Sequence, residues 1–332
     1  MDSASLLRLV TALRGRAVAV IGDVVADEFV YGRLARVSRE APVLILEYDS
    51  TEIVPGGAGN AANNVAALGG LAALVAVTGR DDPARRLLAA LHRRVDRRLV
   101  TRVAGASTPV KTRILAGGVH SAKQQVVRID RAVGAPISAR TRAAFEQRAL
   151  AAAEAADAVL ISDYGSGLVT PAFASRLRTA LRRSGSSVPI LVDTRYGVLD
   201  YRGLTACTPN ESEVEHALGI TIDDDPRALE RAGRRVLAMT AMQAVLITRG
   251  SRGMALFVPG QRTVHIPIVG SDETVDVTGA GDTVMATMAL ALGAGASFEA
   301  AARLANHAGG LVVMKRGTAT VSAAELRASV GG

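Results

Sequence analysis

Tryptophan is absent from this sequence, and five phenylalanines and five tyrosines are its only aromatic residues. A surface that stacks unpaired bases needs aromatic rings, so single-strand nucleic-acid binding has little to build on. Lysine is scarce too, at Lys111, Lys123 and Lys315, and the formal charge of +8 therefore comes from scattered arginines. No long run of like charge occurs. The excess reads as solubility and attraction for anionic small molecules, and no nucleic-acid partner is expected. The single cysteine, Cys207, excludes a disulfide within the chain and a Cys/His zinc cluster. It fits a reducing cytoplasm, where the protein is expected to work. Beside Thr208-Pro209, Cys207 reads as a small buried residue and not as a nucleophile. The N-terminus lacks the charged-then-apolar pattern of a leader peptide. The longest stretch poor in charge, Val284 to Phe298, is too short and too rich in Gly and Ala to span a bilayer. No membrane partner is expected.

What is present is a chain of 332 residues, 49% hydrophobic and rich in Ala and Gly, enough for a large core with closely packed helices. Ala17 to Ile21 is a continuous apolar run ending in Gly22-Asp23, the pattern of a buried strand whose carboxyl end meets a site. Phe29 to Val54 alternates apolar and polar residues, as does Thr108 to Asp130 around a Gly117-Gly118 turn. The first reads as antiparallel strands of a small sheet with one solvated face, set apart from the core, and the second as β structure that pairs with it. Leu74 to Thr78 reads as a strand and Asp82 to Val95 as a helix. Further on, strands are expected at Ala158 to Ile161, Pro189 to Val192, Leu204 to Thr208 and Ala244 to Thr248, with a hairpin from Met254 to Ile268. Helices alternate with them at Arg140 to Ala155, Pro171 to Arg183, Glu211 to Leu218 and Arg227 to Thr240. The alternation predicts an α/β fold, doubly wound, with a mostly parallel sheet covered on both faces.

Two glycine clusters stand out. Asp276-Val277-Thr278-Gly279-Ala280-Gly281-Asp282 precedes an apolar helix starting at Val284. A glycine turn at a helix start presents unpaired N–H groups and positive partial charge, which suits an anion. Asp282 is either a helix cap or a base that takes a proton from a hydroxyl. The other cluster, Pro55-Gly56-Gly57-Ala58-Gly59-Asn60, contains Gly57-x-Gly59-x-x-Ala62. That spacing fits a dinucleotide fingerprint, a polar small-molecule pocket or a capped turn. The strand before it belongs to the alternating sheet, and Val77-Thr78-Gly79 closes the next strand without an acidic residue. Both points weigh against a dinucleotide.

Together the two clusters resemble the signatures of the ribokinase-like (PfkB) carbohydrate kinases, and the resemblance covers nearly the whole chain. Gly22-Asp23 through Asp27, Ser38 to Val43, Ser162-Asp163-Tyr164, Thr208-Pro209-Asn210, Thr248-Arg249 and Gly317 to Val321 are similar to the heptose-7-phosphate kinase branch. The resemblance implies a kinase domain over 1–332, with a β-sheet lid formed by 28–55 and 108–130. It ends with the chain, so the nucleotidyltransferase often fused to such kinases is not expected. It implies ATP, Mg2+ and potassium as cofactors, a sugar or sugar phosphate as substrate, and a homodimer formed through the lid.

It also implies roles. Asp282 is the expected base, with Gly279, Ala280 and Gly281 holding the phosphoryl group. Asp27, and secondarily Asp23, would hold sugar hydroxyls, with Gly56, Gly57 and Asn60 completing the pocket and Asp163 bordering it. Lys111, Arg113 and Arg128 on the lid would meet a phosphorylated sugar, while Lys123 reads as a solvated charge. Asn210 and Glu213 would organise Mg2+ through water; for Glu213 the plainer reading is a partner of the helix dipole. Thr248, Gly250 and Gly253 would pass under the nucleotide, Asn306 would lie near adenine, and Asp276 and Thr278 would border a monovalent cation. The chain departs from the branch at Asp163-Tyr164-Gly165-Ser166-Gly167, where Asp-Tyr-Ala-Lys-Gly is usual, and at Asp193-Thr194-Arg195-Tyr196-Gly197, where Asp-Pro-Lys-Gly is usual. These changes leave the reaction class in place and open the choice of sugar. Other sugar kinases, a sensor that binds without turnover and a dehydrogenase are the competing expectations.

Overall fold

The computed structural model describes residues 2–117, 123–131, 137–270 and 275–332. Its centre is a nine-stranded sheet. From one edge the strands are Val264–Ile266, Met254–Phe257, Ala244–Thr248, Ala206–Cys207, Ile190–Thr194, Ala158–Asp163, Ala17–Gly22, Leu71–Val75 and Val95–Asp96. All neighbours pair in parallel except Met254–Phe257, which is antiparallel to both of its partners. Alternate residues of each strand enter different cores. Val18 and Val20 join one apolar cluster, and Ala19 and Ile21 join the other. Helices Ser3–Ala12, Ala58–Ala67, Ala280–Gly293, Phe298–Val312 and Ala323–Gly331 cover the first face. Helices Ala139–Glu154, Pro171–Arg183, Glu211–Leu218 and Pro226–Thr240 cover the second. This is the doubly wound arrangement expected.

Helix Ala280–Gly293 is the innermost. Every residue from Asp282 to Ala291 is buried, so its outline is set by small side chains and not by an amphipathic stripe. The caps explain why other boundaries were readable. Thr170 accepts from Phe173 N with Pro171 at the helix start, and Asn210 and Glu213 form a reciprocal capping box.

The smaller sheet has four strands in the order Leu44–Gly57, Val24–Val37, Val110–Gly117, Gln124–Arg131. The first two are longer than the alternating stretch Phe29 to Val54. Their inner ends, Val24 to Ala26 and Pro55 to Gly57, are buried on both faces and carry no alternation. Gly117 ends its strand, while Gly118 lies outside the described residues. Leu74 to Thr78 divides into Leu71–Val75 in the large sheet and Val77–Gly79, which pairs with Thr101–Val103. The helix at Asp82 stops at Ala89. Beyond it His92 N donates to Asn63 Oδ1 (2.8 Å) and Arg94 N to His92 Nδ1 (3.1 Å), so side chains take donors that a longer helix would use. Among the described residues no helix is long and apolar enough to cross a membrane.

Gly233, in helix Pro226–Thr240, shows how tightly the second face is closed: a Cβ there would stand 2.2 Å from Phe257 Cζ. Gly233→Ala gains about 1 kcal/mol of helix propensity and loses roughly 1–3 kcal/mol to overpacking. We expect net destabilisation, read as a lower urea midpoint with an unchanged slope; a higher midpoint would contradict this packing.

Candidate functional site

A cleft of about 580 Å³ lies over the carboxyl ends of the central strands, against the start of helix Ala280–Gly293. Gly279 precedes the helix with φ +79°, a conformation that suits glycine. A Cβ there would stand 2.5 Å from Asn60 Nδ2, whereas one on Gly281 would meet nothing within 4 Å. The turn is therefore closed behind and open in front; its residues line the cleft, and Ala280 N donates to Val277 O (3.2 Å).

Asp282, in the first turn, is 4% exposed. Asn60 Nδ2 donates to its Oδ2 (2.8 Å) and the Tyr164 hydroxyl to its Oδ1 (3.1 Å). Burial, aided by the charge of Asp27, pushes its carboxyl up to about 7; the Asn60 and Tyr164 hydrogen bonds and Lys111 pull the other way. Asn60 is in turn oriented by Asn64, whose Nδ2 donates to Asn60 Oδ1 (3.1 Å). Asn64 Oδ1 accepts from Thr283 Oγ1 (3.1 Å) and Val321 N (3.3 Å). Asn60 thus reaches the cleft through Asp282 rather than as part of its wall.

At one end of the cleft Asp27 is paired with Arg113, and both side chains are nearly buried. Thr318 Oγ1 donates to Asp27 Oδ2 (3.2 Å). Gly56 stands behind Asp27, where a Cβ would be 2.4 Å from Oδ2, and Gly57 lines the cleft with φ +57°. Lys111, Arg128 and Arg195 face the same space. Lys111 Nζ lies 5.0 Å and Arg195 Cζ 5.5 Å from the Tyr164 ring centre. Arg128 is paired with Asp130, and Lys123 with Asp49. Asp163 lines the cleft, and its oxygens accept from Gly165 N (2.9 Å), Thr194 Oγ1 (3.0 Å) and the Tyr201 hydroxyl (2.8 Å).

Asp23 departs from the expectation. It borders a different cavity, and its carboxylate accepts from Tyr164 N (2.8 Å), Ser166 N (3.3 Å) and Ser166 Oγ. Those donors engage the oxygens that a sugar would need.

At the other end lie Asn210, Glu213, Thr248, Gly250 and Gly253. Thr248 and Asn210 meet in a parallel bridge. The turn after Thr248 has left-handed glycines at Gly250 (φ +57°) and Gly253 (φ +78°). Arg249 and Arg252 anchor it to buried Glu211. Met254, Ile268, Val284 and Val313 give this end an apolar lining, where Asn306 Nδ2 donates to Pro267 O (2.7 Å). Asp276 does not line the cleft. It clasps a loop, accepting from Thr278 N and Gly317 N (2.9 Å each), while Thr278 faces the cavity. Asp193, between the two ends, received no role from the sequence. Burial and the charges of Asp282 and Glu213 push its carboxyl up to about 8. Tyr164, Arg195 and Thr318 were likewise without assigned roles, although all three fall in segments set against the family pattern.

The glycine fingerprint at Gly57 follows a strand of the smaller sheet, not a strand of the central parallel sheet, so no dinucleotide-binding βαβ unit is built on it.

An open glycine turn at a helix start with a buried carboxylate beside it is the arrangement that suits phosphoryl transfer to an alcohol. Residues 16–325 match the model of the pfkB family carbohydrate kinases. The chain belongs to that family, enzymes that phosphorylate sugars with ATP. It is 43% identical over 333 residues to the bifunctional protein HldE of Caulobacter vibrioides, a match covering 99% of this chain and 66% of that protein. The chain thus spans just under two thirds of that relative. Among solved structures, Arabidopsis thaliana ribokinase complexed with ribose and ATP superimposes with a TM-score of 0.73 at 20% identity, covering 96% of this chain and 99% of the other. Escherichia coli phosphofructokinase-2 in complex with potassium gives 0.74 at 17%, covering 96% and 98%. At these identities the two structures establish the ribokinase-like fold.

Two of the ion pairs of the smaller sheet differ in worth. Arg113→Ala strands the nearly buried Asp27 and should cost about 3 kcal/mol. Arg128→Ala breaks a half-exposed pair and should cost less than about 1 kcal/mol. Urea unfolding of both variants checks this; equal losses would show that Asp27 does not depend on Arg113.

Proposed function

We propose that this enzyme phosphorylates a heptose 7-phosphate, converting D-glycero-β-D-manno-heptose 7-phosphate to the 1,7-bisphosphate. The observation that carries the reading is one cleft holding a buried carboxylate, an open glycine turn and, at its far end, a group of cations. Similarity to the heptose-7-phosphate kinase branch and to the bifunctional HldE protein supports the choice of sugar.

In this reading Asp282 accepts the proton of the sugar hydroxyl as it attacks. Gly279 and Gly281 direct N–H groups at the transferring phosphoryl oxygens, while the Ala280 N–H, expected to join them, donates instead to Val277 O (3.2 Å). Asp27 and Gly57 hold the sugar. Lys111, Arg128 and Arg195 receive the phosphate it already carries. ATP supplies the phosphoryl group, and Mg2+ neutralises its charge. The residues present fit such an ion. Asp193 and Glu213 are carboxylates in one cleft whose proton affinities are both raised, and a divalent cation would relieve that strain. No group of three or more metal-ligating side chains assembles among the described residues, which suits an ion held largely by water and phosphate. The Asp276-Thr278 loop, clasped to Gly317, is the proposed place for potassium. The smaller sheet acts as a lid that keeps water from the phosphoryl group. The single-domain division with this lid, and a cytoplasmic location, belong to the same proposal.

Ser166 and Arg195, where the branch usually has lysines, favour one second reading: the same chemistry on a different phosphorylated sugar. ADP release with the heptose 7-phosphate, fructose 6-phosphate, ribose and unphosphorylated hexoses separates the two. We expect the heptose phosphate to give the highest kcat/KM, and Asp282→Asn to lose at least about 100-fold. Undiminished turnover in Asp282→Asn would remove the base, and a preference for unphosphorylated hexoses would remove the assigned role of the cations.

Leu34, Val37, Tyr48, Val127 and Ile129 leave exposed apolar surface on the smaller sheet, and among the described residues its outer strands pair on one side only. A homodimer through this sheet is proposed. Light scattering should give twice the chain mass of 34.3 kDa, reverting to the chain mass in Val37→Lys/Ile129→Lys; a monomeric wild-type enzyme would contradict it.

A further inference from the structure

Asp282 is held by one donor on each oxygen. Asn60, on Oδ2, comes from the glycine cluster already assigned to the site. Tyr164, on Oδ1, comes from the loop after strand Ala158–Asp163, 118 residues away in the chain. We propose that Tyr164 is a positioning residue for the base: its hydroxyl fixes the Oδ1 side of Asp282, and Asp23 sets Tyr164 by holding the loop that carries it. The inference rests on the reading of Asp282 as the base.

The loop is held at several points. Asp23 Oδ2 accepts from Tyr164 N (2.8 Å) and Ser166 N (3.3 Å), and Asp23 Oδ1 accepts from Ser166 Oγ. Asp163 Oδ1 accepts from Gly165 N (2.9 Å). Gly165 and Gly167 take left-handed φ values of +81° and +77°, which close the turn. The ring is confined as well. A Cβ on Gly57 would stand 3.3 Å from Tyr164 Cε2, and Lys111 and Arg195 lie over the ring. Ser166 stands where the similar kinases usually have lysine, so here the link to Asp23 is a hydroxyl hydrogen bond and not an ion pair.

The chemistry of the contact follows from its surroundings. Burial, then the charges of Asp282 and Asp193, hold the Tyr164 phenol well above its ordinary range. It therefore stays a donor throughout the working pH range. A donor that never ionises stabilises the carboxylate and occupies one lone pair of Oδ1, leaving others for the acceptor's proton. The groups acting on Asp282 are Asn60 from helix Ala58–Ala67, Asp27 from strand Val24–Val37, Lys111 from strand Val110–Gly117 and Tyr164 itself. Asp193, from strand Ile190–Thr194, is coupled to it by charge. Tyr164→Phe alters one of these and leaves the ring between its cations.

The test is a carbon-13 titration of the aspartate carboxyls in the free enzyme, with Asp282 assigned from Asp282→Asn. In Tyr164→Phe the Asp282 midpoint should move to higher pH by about one unit, the size of a lost hydrogen bond to a charged group. With the panel sugar that turns over fastest, kcat should fall about tenfold or more while KM stays within about threefold. Asp23→Asn, which leaves the ring untouched, should move the midpoint in the same direction by less. An Asp282 titration unchanged in both variants would overturn the inference, since a purely packing role moves no midpoint. If Asp282→Asn keeps wild-type turnover, the base assignment fails instead, and the titration still decides whether Tyr164 controls this carboxyl.

Discussion

A carboxylate that is to take a proton in a nearly dry cleft faces two opposing demands. Removal from water raises its proton affinity, and only nearby donors or cations bring it back. Asp282 shows both effects. Burial is the larger, and the hydrogen bonds from Asn60 and Tyr164 oppose it. Much of the architecture serves this balance. Helix Ala280–Gly293 is enclosed on all sides and fixes where the carboxylate begins. Helix Ala58–Ala67 runs alongside, with Asn60 and Asn64 linked to it by hydrogen bonds. The loop after Ala158–Asp163 closes the remaining side. Moving any one of these elements would change what holds the group on which the proposed chemistry turns.

Charge along the cleft is graded. Cations gather at the end beside the smaller sheet, Asp193 stands between the two ends, and Glu213 stands at the other. In the proposed reading an anionic acceptor is drawn to the cationic end, and Asp193 and Glu213, both pushed toward holding protons, favour a positive ion. The chain's excess of arginine, without clustered sequence runs, is consistent with this: the fold, rather than the sequence order, assembles the patch from Lys111, Arg128 and Arg195.

Much of this could be read in the sequence, for reasons that differ by element. Pro171–Arg183, Glu211–Leu218 and Ala244–Thr248 were read with their observed bounds because caps, prolines and apolar runs are local signals. The strand starts at Val24 and the end at Gly57 were not, because a segment buried on both faces shows no period. The helix end at Ala89 depended on a contact between Asn63 and His92, which no local pattern records. In the site, Asp282, Asp27 and Asn210 stood in recognisable motifs. The contacts of Tyr164, Asp193 and Asp23 depend on pairings across the fold: Asp23 and Tyr164 are separated by 141 residues, yet their hydrogen bond is 2.8 Å long. Asp23 followed the first strand as a site residue would, and only the geometry shows that it serves the loop.

Strand Val24–Val37 carries Asp27 near its buried end and runs out to exposed residues at the other. Its pairing with Leu44–Gly57 is regular up to Tyr31, then breaks register at Tyr31/Gly32 and again at Leu34/Arg36. A bulge bends a strand and sharpens its twist, so the strand changes course over its outer half, while the stretch that carries Asp27 keeps unbroken pairing on both of its edges.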